Sequence, residues 1–296
     1  MGAKTMPVQS FFGSNIDPAI DMATFSTPYL NHTIGSLSVG AGAVYPIGDG
    51  RLILGVTLPV KDSAQSGENE NTSITASIEN DWRDNSTITV LTGLNSSARG
   101  PLGMTGFGAL NMNDDETMTQ FIAVKSQSQL TKDIALTAVA STSNSSSSIP
   151  SSSLVGSTRN IRSSSLGVGA TLANIFGNGA LSMSLSQPDR VFSGDIHIDI
   201  PQLSDSEGNI AQQSKLISLS PSGRQLDFKI AYTDAISPEA SIRLEYAVSR
   251  NINHLQGAGL VRAGFIGFNS GGLKVGAKLT DQWKLGRMEM RYGTRF

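Results

Sequence analysis

The chain has 296 residues, a formal net charge of −2 and no cysteine. The lack of cysteine excludes disulfide bonds, thiolate metal sites and a cysteine nucleophile. A net charge this small, without a basic run, gives no reason to expect nucleic acid as a partner. Charged residues are only 16% of the chain and glycine is abundant at 31 residues, whereas soluble proteins average about 25% charged residues. The composition predicts a protein rich in β-strands and loops.

The first 35 residues do not alternate in polarity, and we predict a lead-in over residues 1–35 followed by one domain over residues 36–296. Asp17 and Pro18 offer an N-cap and a first-turn proline for one short helix, which would need a surface to pack on or a channel to sit in. Met1 to Gln9 lacks the apolar core of a signal peptide, and no run of about 18 apolar residues predicts a transmembrane helix. If the protein is exported, we expect this sequence to be the tail of a longer chain or to have lost its signal.

From Leu37 onwards, apolar residues alternate with polar or small ones, which is the pattern of β-strands with two unlike faces. The stretch from Leu226 to Tyr232, for example, reads LDFKIAY. Most runs have about eight to eleven residues, near the ~9–11 that a tilted strand needs to cross a bilayer and above the five or six usual in sandwiches. The pattern predicts an all-β, antiparallel transmembrane β-barrel of about 12 strands, with about 14 as the upper bound.

Ionisable residues fall on the same side of successive strands, and in a barrel this side would face a polar lumen. Their mixed signs fit a lumen filled by a segment of chain better than a strongly ion-selective pore. The opposite side, which includes Ile198 and Phe228, would meet lipid. The predicted lumen-lining residues are Asp199, Asp227, Lys229, Arg243, Glu245, Lys274, Lys278, Glu289 and Arg291.

Short turns and long loops alternate along the chain. The Ser-rich run from Asn144 to Ser153 is predicted to be an exposed loop, with an interdomain linker as the alternative. The glycine-rich stretch from Asn95 to Asp115 is predicted to be a long loop that could fold inward. In a barrel, long loops face the cell exterior and tight turns the periplasm. The predicted tight turns are Arg83-Asp84-Asn85, Thr131-Lys132-Asp133 and Asn178-Gly179.

The last stretch, from Gly286 to Phe296, alternates up to the final residue. Its Met, Tyr and Phe residues share one face and its Arg and Glu residues the other, which suits a strand that closes a membrane barrel. Met290, Tyr292 and Phe296 form a predicted assembly signal, because an exposed strand edge is a template for pairing with a partner. By itself, the stretch would also fit the edge strand of a soluble sandwich.

Two segments carry a resemblance to a known family. Gly179 to Pro201 reads GALSMSLSQPDRVFSGDIHIDIP, and Leu216 to Tyr232 reads LISLSPSGRQLDFKIAY. Both resemble the C-terminal β-domains of alphaproteobacterial subtilisin-like serine peptidases of the autotransporter (type V secretion) class. A looser similarity extends over most of the chain, and Asn269 to Phe296 departs from it by adding what looks like one further hairpin.

The resemblance implies an outer-membrane translocator domain of a Gram-negative bacterium, or a related porin-like pore. Its partners would be membrane lipid, the outer-membrane assembly machinery and a passenger linked covalently upstream, and it would act as a monomer. The alternative of another class is a soluble secreted β-sandwich or β-solenoid module that binds a partner through its Ser- and Asn-rich loops. Dependence on detergent for solubility would separate the two.

No enzyme activity is expected of this chain. It lacks a Gly-Thr-Ser-Met-Ala nucleophile segment, and His32, His197 and His254 lie in no triad context. The three histidines are also too far apart in sequence to suggest a metal pair. No helix or Gly-Lys-Ser motif follows the strand glycines, which therefore do not predict a phosphate site. We expect no catalytic residue, metal or cofactor.

Overall fold

The computed structural model describes residues 38–59, 71–83, 85–97, 117–147, 154–177, 179–204, 210–237, 239–270, 273–280 and 285–292. These residues form fourteen β-strands and one short 3-10 helix, Ile252–His254. No helix within these ranges is long and apolar enough to cross a membrane. The predicted lead-in, residues 1–35, lies outside the described residues.

The strands follow one another with few other elements between them. Their bounds are β1 Ser38–Ile47, β2 Gly50–Pro59, β3 Asn71–Arg83, β4 Ser86–Ser97, β5 Thr117–Thr131, β6 Ile134–Ser147, β7 Val155–Ile175, β8 Gly179–Ser204, β9 Ile210–Ser218, β10 Leu226–Ser237, β11 Ala240–Arg250, β12 Leu260–Ser270, β13 Leu273–Thr280 and β14 Leu285–Tyr292.

All fourteen strands belong to one antiparallel sheet. The order is β1 to β8, then β10 to β14, and β9 pairs with β8 outside this path. The prediction of an all-β, antiparallel, barrel-type sheet of 12–14 strands is confirmed. A β-solenoid stacks parallel strands and a sandwich packs two sheets, whereas the described strands form neither arrangement.

The connections differ at the two ends of the sheet. β1–β2, β3–β4, β5–β6, β10–β11 and β12–β13 are each separated by two residues, and β7–β8 by three. We call this the tight-turn end. The opposite end carries the longer connections, such as residues 60–70, 98–116 and 251–259, and we call it the long-loop end. Because neighbouring strands alternate in direction, the predicted short turns all lie at one end.

The two faces of the sheet have the reverse of a soluble protein's polarity. In β3, Ser73, Thr75 and Ser77 are at most 5% exposed, whereas Ile74 and Ile78 on the other face are each 55% exposed. We call these the hydroxyl face and the apolar face. The apolar face continues across the sheet through exposed side chains that include Leu54, Val56, Val90, Leu94, Ile122, Val124, Leu136, Val168, Leu185, Phe228, Leu244, Tyr246, Ile266 and Phe268.

Cross-strand hydroxyl pairs explain how small polar residues can be buried on the hydroxyl face. Burial of a polar group is tolerated when it finds a hydrogen-bond partner, and successive strands supply one here at matched register positions. The pairs are Thr119–Ser145 at 2.8 Å, Ser143–Ser163 at 2.6 Å and Ser141–Ser165 at 2.6 Å.

Three strands extend past the rest of the sheet at the long-loop end. β10 pairs with β8 only over Ala180–Ser186, and β9 takes over from Asp195 to Ser204. In this β7–β9 extension, Val155 and Ile196 form a small core with Ile198 packed against it. The prediction that Ile198 meets lipid is therefore wrong, because its side chain packs within the extension.

Several predicted boundaries also change. β6 continues to Ser147 and Ser145 is completely buried, so the first four residues of the predicted exposed loop from Asn144 to Ser153 belong to a strand. β8 is a single strand that continues through Pro188. The polar stretch from Pro201 to Lys215 contains the end of β8 and the start of β9.

Candidate functional site

The charged residues of β10 and β11 are brought together by register. Lys229 Nζ lies 2.8 Å from Glu245 Oε1, and an Arg243 guanidinium nitrogen lies 3.0 Å from Glu245 Oε2. Asp227, on the same face, accepts two hydrogen bonds from Gln225 Nε2, at 2.9 and 3.0 Å. Four of the nine predicted lumen residues thus share one face of the sheet.

The remaining predicted lumen residues lie elsewhere. Asp199 is in the β7–β9 extension, where Ser214 of β9 donates a hydrogen bond to it, apart from the β10–β11 charges. In β13 and β14, the backbone register pairs Lys274 with Arg291, Gly276 with Glu289 and Lys278 with Arg287. The structure describes the backbone of Lys274, Lys278, Glu289 and Arg291 but not their side chains.

A second charged group lies on the hydroxyl face of β2 to β5, and the sequence patterns did not single it out. An Arg51 guanidinium nitrogen contacts Glu79 Oε1 at 2.5 Å, and Glu79 also attracts Lys125. One register row joins these residues to Asp227 on β10 through Thr89, Val139, Gly167 and Ser186. Arg51 and Lys125 are the only charges of β2 and β5, and Glu79 shares β3 with Asp81 and Arg83, so only the register reveals the group.

At the long-loop end, His254 connects three segments of the chain. The Gln225 N–H donates to His254 Nδ1 at 2.9 Å, and His254 Nε2–H donates to the Asp189 carbonyl oxygen at 2.9 Å. The ring is 7% exposed. With a backbone donor at one nitrogen and a carbonyl acceptor at the other, the partners assign the neutral tautomer that carries its proton on Nε2.

The surroundings of His254 favour this neutral form. Burial lowers the pKa of His254 below its ordinary value of 6.5, and the Arg190 charge acts in the same direction. The Asp189 carbonyl and the carboxylates of Asp189 and Asp227 oppose this shift without cancelling it. Desolvation dominates because a charged imidazole would lose its hydration in this position.

Arg190 ties together the two segments that carry the family resemblance. Its Nε donates to the Gly223 carbonyl at 2.9 Å, and a terminal guanidinium nitrogen donates to the Pro221 carbonyl at 3.1 Å. The Ser-Gln-Pro-Asp-Arg segment of β8 therefore holds the Pro-Ser-Gly-Arg loop directly. Nothing in the spacing of the two segments predicts this contact, which depends on β10 pairing with β8.

A cavity of about 610 Å³ lies beside His254. Its walls come from the loop before β10 and the loop between β11 and β12. The lining residues are Ser222, Gly223, Arg250, Asn251, Gln256, Gly257, Gly259 and Leu260. Across the described ranges, no group of three His, Cys, Asp or Glu residues is placed to hold a metal ion.

The predicted assembly signal is only partly within the described residues. Met290 pairs with Val275 and Tyr292 with Leu273 in the β13–β14 ladder. Among the described strands, β14 is the last one of the sheet path. Phe296 lies outside the described residues.

No protein-family model matches the chain, and no curated protein matches it. Among solved structures, it is similar to the crystal structure of the siderophore receptor PiuA from Acinetobacter baumannii, with 11% identity and a TM-score of 0.43. The matched region covers 82% of this chain and 43% of the receptor, so the chain spans less than half of that receptor's length. A similarity this low carries neither the receptor's ligand nor its function over to this chain.

Proposed function

We propose that this chain is an outer-membrane β-barrel of a Gram-negative bacterium that anchors or translocates a passenger linked upstream, as autotransporter translocators do. The observation that carries the membrane assignment is the reversed polarity of the sheet. Ile74 and Ile78 are 55% exposed while Ser73, Thr75 and Ser77 beside them are buried.

Lipid is the solvent that makes this polarity favourable. Fully burying one large aliphatic side chain is worth about 1.5–3 kcal/mol, and water would leave a whole face of such side chains uncompensated. The antiparallel ladder also meets the second demand of a bilayer, since it pairs backbone groups between strands. A polar lumen would suit the hydroxyl face and the charges of Glu79, Asp227 and Glu245.

The translocator role draws its support from the family resemblance and from the charges on the hydroxyl face. Lys229, Arg243 and Glu245 offer both signs over a short distance, which suits contacts with a polar polypeptide segment better than selection of one ion. The proposed partners are lipid, the outer-membrane assembly machinery and the passenger. The proposed barrel is a monomer that performs no catalysis and needs no cofactor.

The membrane assignment is tested by refolding the full chain from urea with and without detergent micelles. We expect folded, heat-shiftable protein on semi-native gels only in the presence of detergent, because the apolar face needs an apolar solvent. Monodisperse folded protein in plain buffer would contradict the assignment and favour the soluble binding module.

The translocator role is tested separately by fusing a signal peptide and a small reporter domain upstream of Met1. We expect reporter on the surface of intact cells, detected by an antibody that cannot cross the outer membrane. A control fusion ending at Pro59 retains only β1 and β2 and should display none. Reporter that stays in the periplasm while the barrel is correctly inserted would reject the translocator role and leave the membrane assignment standing.

A further inference from the structure

Two of the three segments that meet at His254, the loop before β10 and the β11–β12 loop, are joined by hydrogen bonds that backbone N–H groups donate at this residue or near it. The Gly223 N–H donates to the His254 carbonyl at 2.7 Å. Asn253 N–H donates to Gln225 Oε1 at 2.8 Å, and Gln256 N–H donates to the Ser222 hydroxyl at 3.2 Å. The loop before β10 and the β11–β12 loop are thus bound to each other. The imidazole binds the β11–β12 loop to Asp189 of β8, and Arg190 of β8 binds the loop before β10.

We propose that His254 is an acid-sensitive latch: its neutral ring holds Gln225, at the start of β10, against β8, and protonation of the ring breaks this contact while the Arg190 hydrogen bonds to Pro221 and Gly223 remain. The inference is independent of the membrane assignment, since it uses only contacts among these three segments.

The geometry makes protonation incompatible with the closed arrangement. A proton added at Nδ1 would point at the Gln225 N–H, so that two donors would face each other where one hydrogen bond existed. The Nε2–H bond to the Asp189 carbonyl survives protonation, so a ring flip would gain nothing. Protonation therefore breaks the contact between His254 and Gln225, and it leaves the Gln225 N–H without its acceptor.

The charged groups around the ring come from each segment packed against it. β8 contributes Asp189 and Arg190, β10 contributes Asp227, and the flanking residues Arg224 and Arg250 belong to the loop before β10 and to the end of β11. Arg190 is engaged with two carbonyls and Asp227 with the Gln225 amide, so both kinds of charge have other partners. Because the effects of these positive and negative charges oppose each other, burial has the largest effect on the pKa of His254.

The direction of the pH effect follows from the lowered pKa of His254. The latch is fully closed at pH values above the ordinary histidine pKa of 6.5, and it weakens as the pH falls below that pKa. It is lost once the pH falls below the pKa of the folded form. The cavity beside His254 is walled by the two latched loops, Ser222 and Gly223 on one side and Asn251, Gln256 and Gly257 on the other. Its shape would change with the latch.

The experiment is hydrogen exchange by mass spectrometry on the full folded chain between about pH 7.5 and about pH 5, corrected for the intrinsic pH dependence of exchange. We expect the corrected exchange of the peptide over residues 219–226 to accelerate by up to about tenfold per pH unit between the ordinary histidine pKa of 6.5 and the lower pKa of folded His254, and to level off below that. The peptide over residues 134–147, within β6, should show no such step. An equal rate at both pH values in residues 219–226 would overturn the proposal.

Two variants separate the latch from general acid sensitivity. His254→Gln keeps an amide able to donate and accept but cannot titrate, so its exchange should lose the acid step. His197→Gln, in the exposed part of β8, should keep the step; if His254→Gln also keeps it, the proposal is wrong. Should His254→Gln fail to fold, nitrogen-15 histidine spectra of the unaltered chain decide. A neutral Nε2–H ring at about pH 7 supports the latch, and a charged ring or an Nδ1–H ring overturns it.

Discussion

Glu245 shows how single residues hold the charges of this sheet. Its two carboxylate oxygens serve two cations, Lys229 from the neighbouring strand and Arg243 two residues away on its own strand. The three side chains are between 21% and 33% exposed. Partly shielded pairs of this kind are screened less by solvent than fully exposed pairs, which contribute little.

Glu245→Gln should destabilise the folded chain, because it leaves two cations close together without the anion between them. The expected loss in the free energy of unfolding is about 1–2 kcal/mol, measured by urea titration of the refolded protein. Glu239→Gln is the matched control, since Glu239 lies exposed in the β10–β11 turn, and it should change little. Equal effects of the two substitutions would mean that the ion pairs contribute nothing.

At this scale, alternation in the sequence identified the side of each strand but not the partner of each side chain. Asp227, Lys229, Arg243 and Glu245 could be assigned to one face because the period of a strand is two. Their contacts depend on strand register, which no local pattern contains. His254 was missed for the same reason, since Asp189 and Gln225 reach it only after β10 pairs with β8.

The strand β10 illustrates the two faces at the scale of an element. Phe228 is 41% exposed on the apolar face, while Asp227 on the hydroxyl face is bound to the Gln225 amide. The neighbours of Phe228 in register are Val248 on β11 and Leu185 on β8. An apolar row of this kind would lie in lipid in a membrane barrel.

Phe228→Arg should therefore hinder insertion far more than Asp227→Asn. The expected cost of the arginine is roughly 2–4 kcal/mol if it lies near the bilayer midplane. Asp227→Asn keeps an acceptor for Gln225 and should cost less than about 1 kcal/mol. The measurement is a urea titration of refolding into lipid vesicles. Comparable losses for the two variants would show that the faces are exchanged.

The strand β8 shows where sequence reasoning about elements reached its limit. A proline in a strand removes a ladder donor and normally marks an edge or a bulge. In the structure, Pro188 lies between the part of β8 that pairs with β10 and the part that pairs with β9. A register shift towards β7 occurs at the same place. The missing donor therefore costs little, and the strand continues.

Met290 and Tyr292 of β14, together with Phe296 outside the described residues, stay a predicted signal for an assembly partner. Phe296→Ala should lower the yield in cell outer membranes several-fold while leaving refolding from urea into detergent nearly unchanged, because the residue is proposed to act before closure. The paired measurements are membrane yield and refolding midpoint. Tyr246→Ala, on the exposed apolar face of β11, provides an aromatic control with no assembly role. Equal losses of Phe296→Ala in both measurements, or no loss in either, would contradict the signal.

The whole molecule has two ends of different character, and the barrel hypothesis assigns them to different compartments. Lys132 lies at the tight-turn end with its side chain 89% exposed. Ser220 is exposed in the loop before β10, at the long-loop end. Since short turns of such barrels face the periplasm and long loops the exterior, the two positions should differ in access from outside.

Single cysteines test this orientation without background, because the chain contains none. A membrane-impermeant maleimide should label Ser220→Cys on intact cells, and Lys132→Cys only after the outer membrane is permeabilised. Labelling in both states should be scored against fully unfolded protein, which gives the maximum. Labelling of Lys132→Cys alone on intact cells would show that the orientation is inverted.

The route of the sheet also has a consequence for its two edges. Seven antiparallel pairings lead from β1 to β8 and five more lead from β8 through β10 to β14. Twelve reversals return the chain to its starting direction, so β1 and β14 run the same way. A seam made directly between them would be a parallel ladder, whose slanted hydrogen bonds are slightly weaker than those of every other pair. One additional strand between them would restore antiparallel pairing all round. With a direct β1–β14 pairing, this seam would be the weakest strand pair and the place where the closed sheet would open laterally. With one additional strand, all strand pairs would be of the same antiparallel kind.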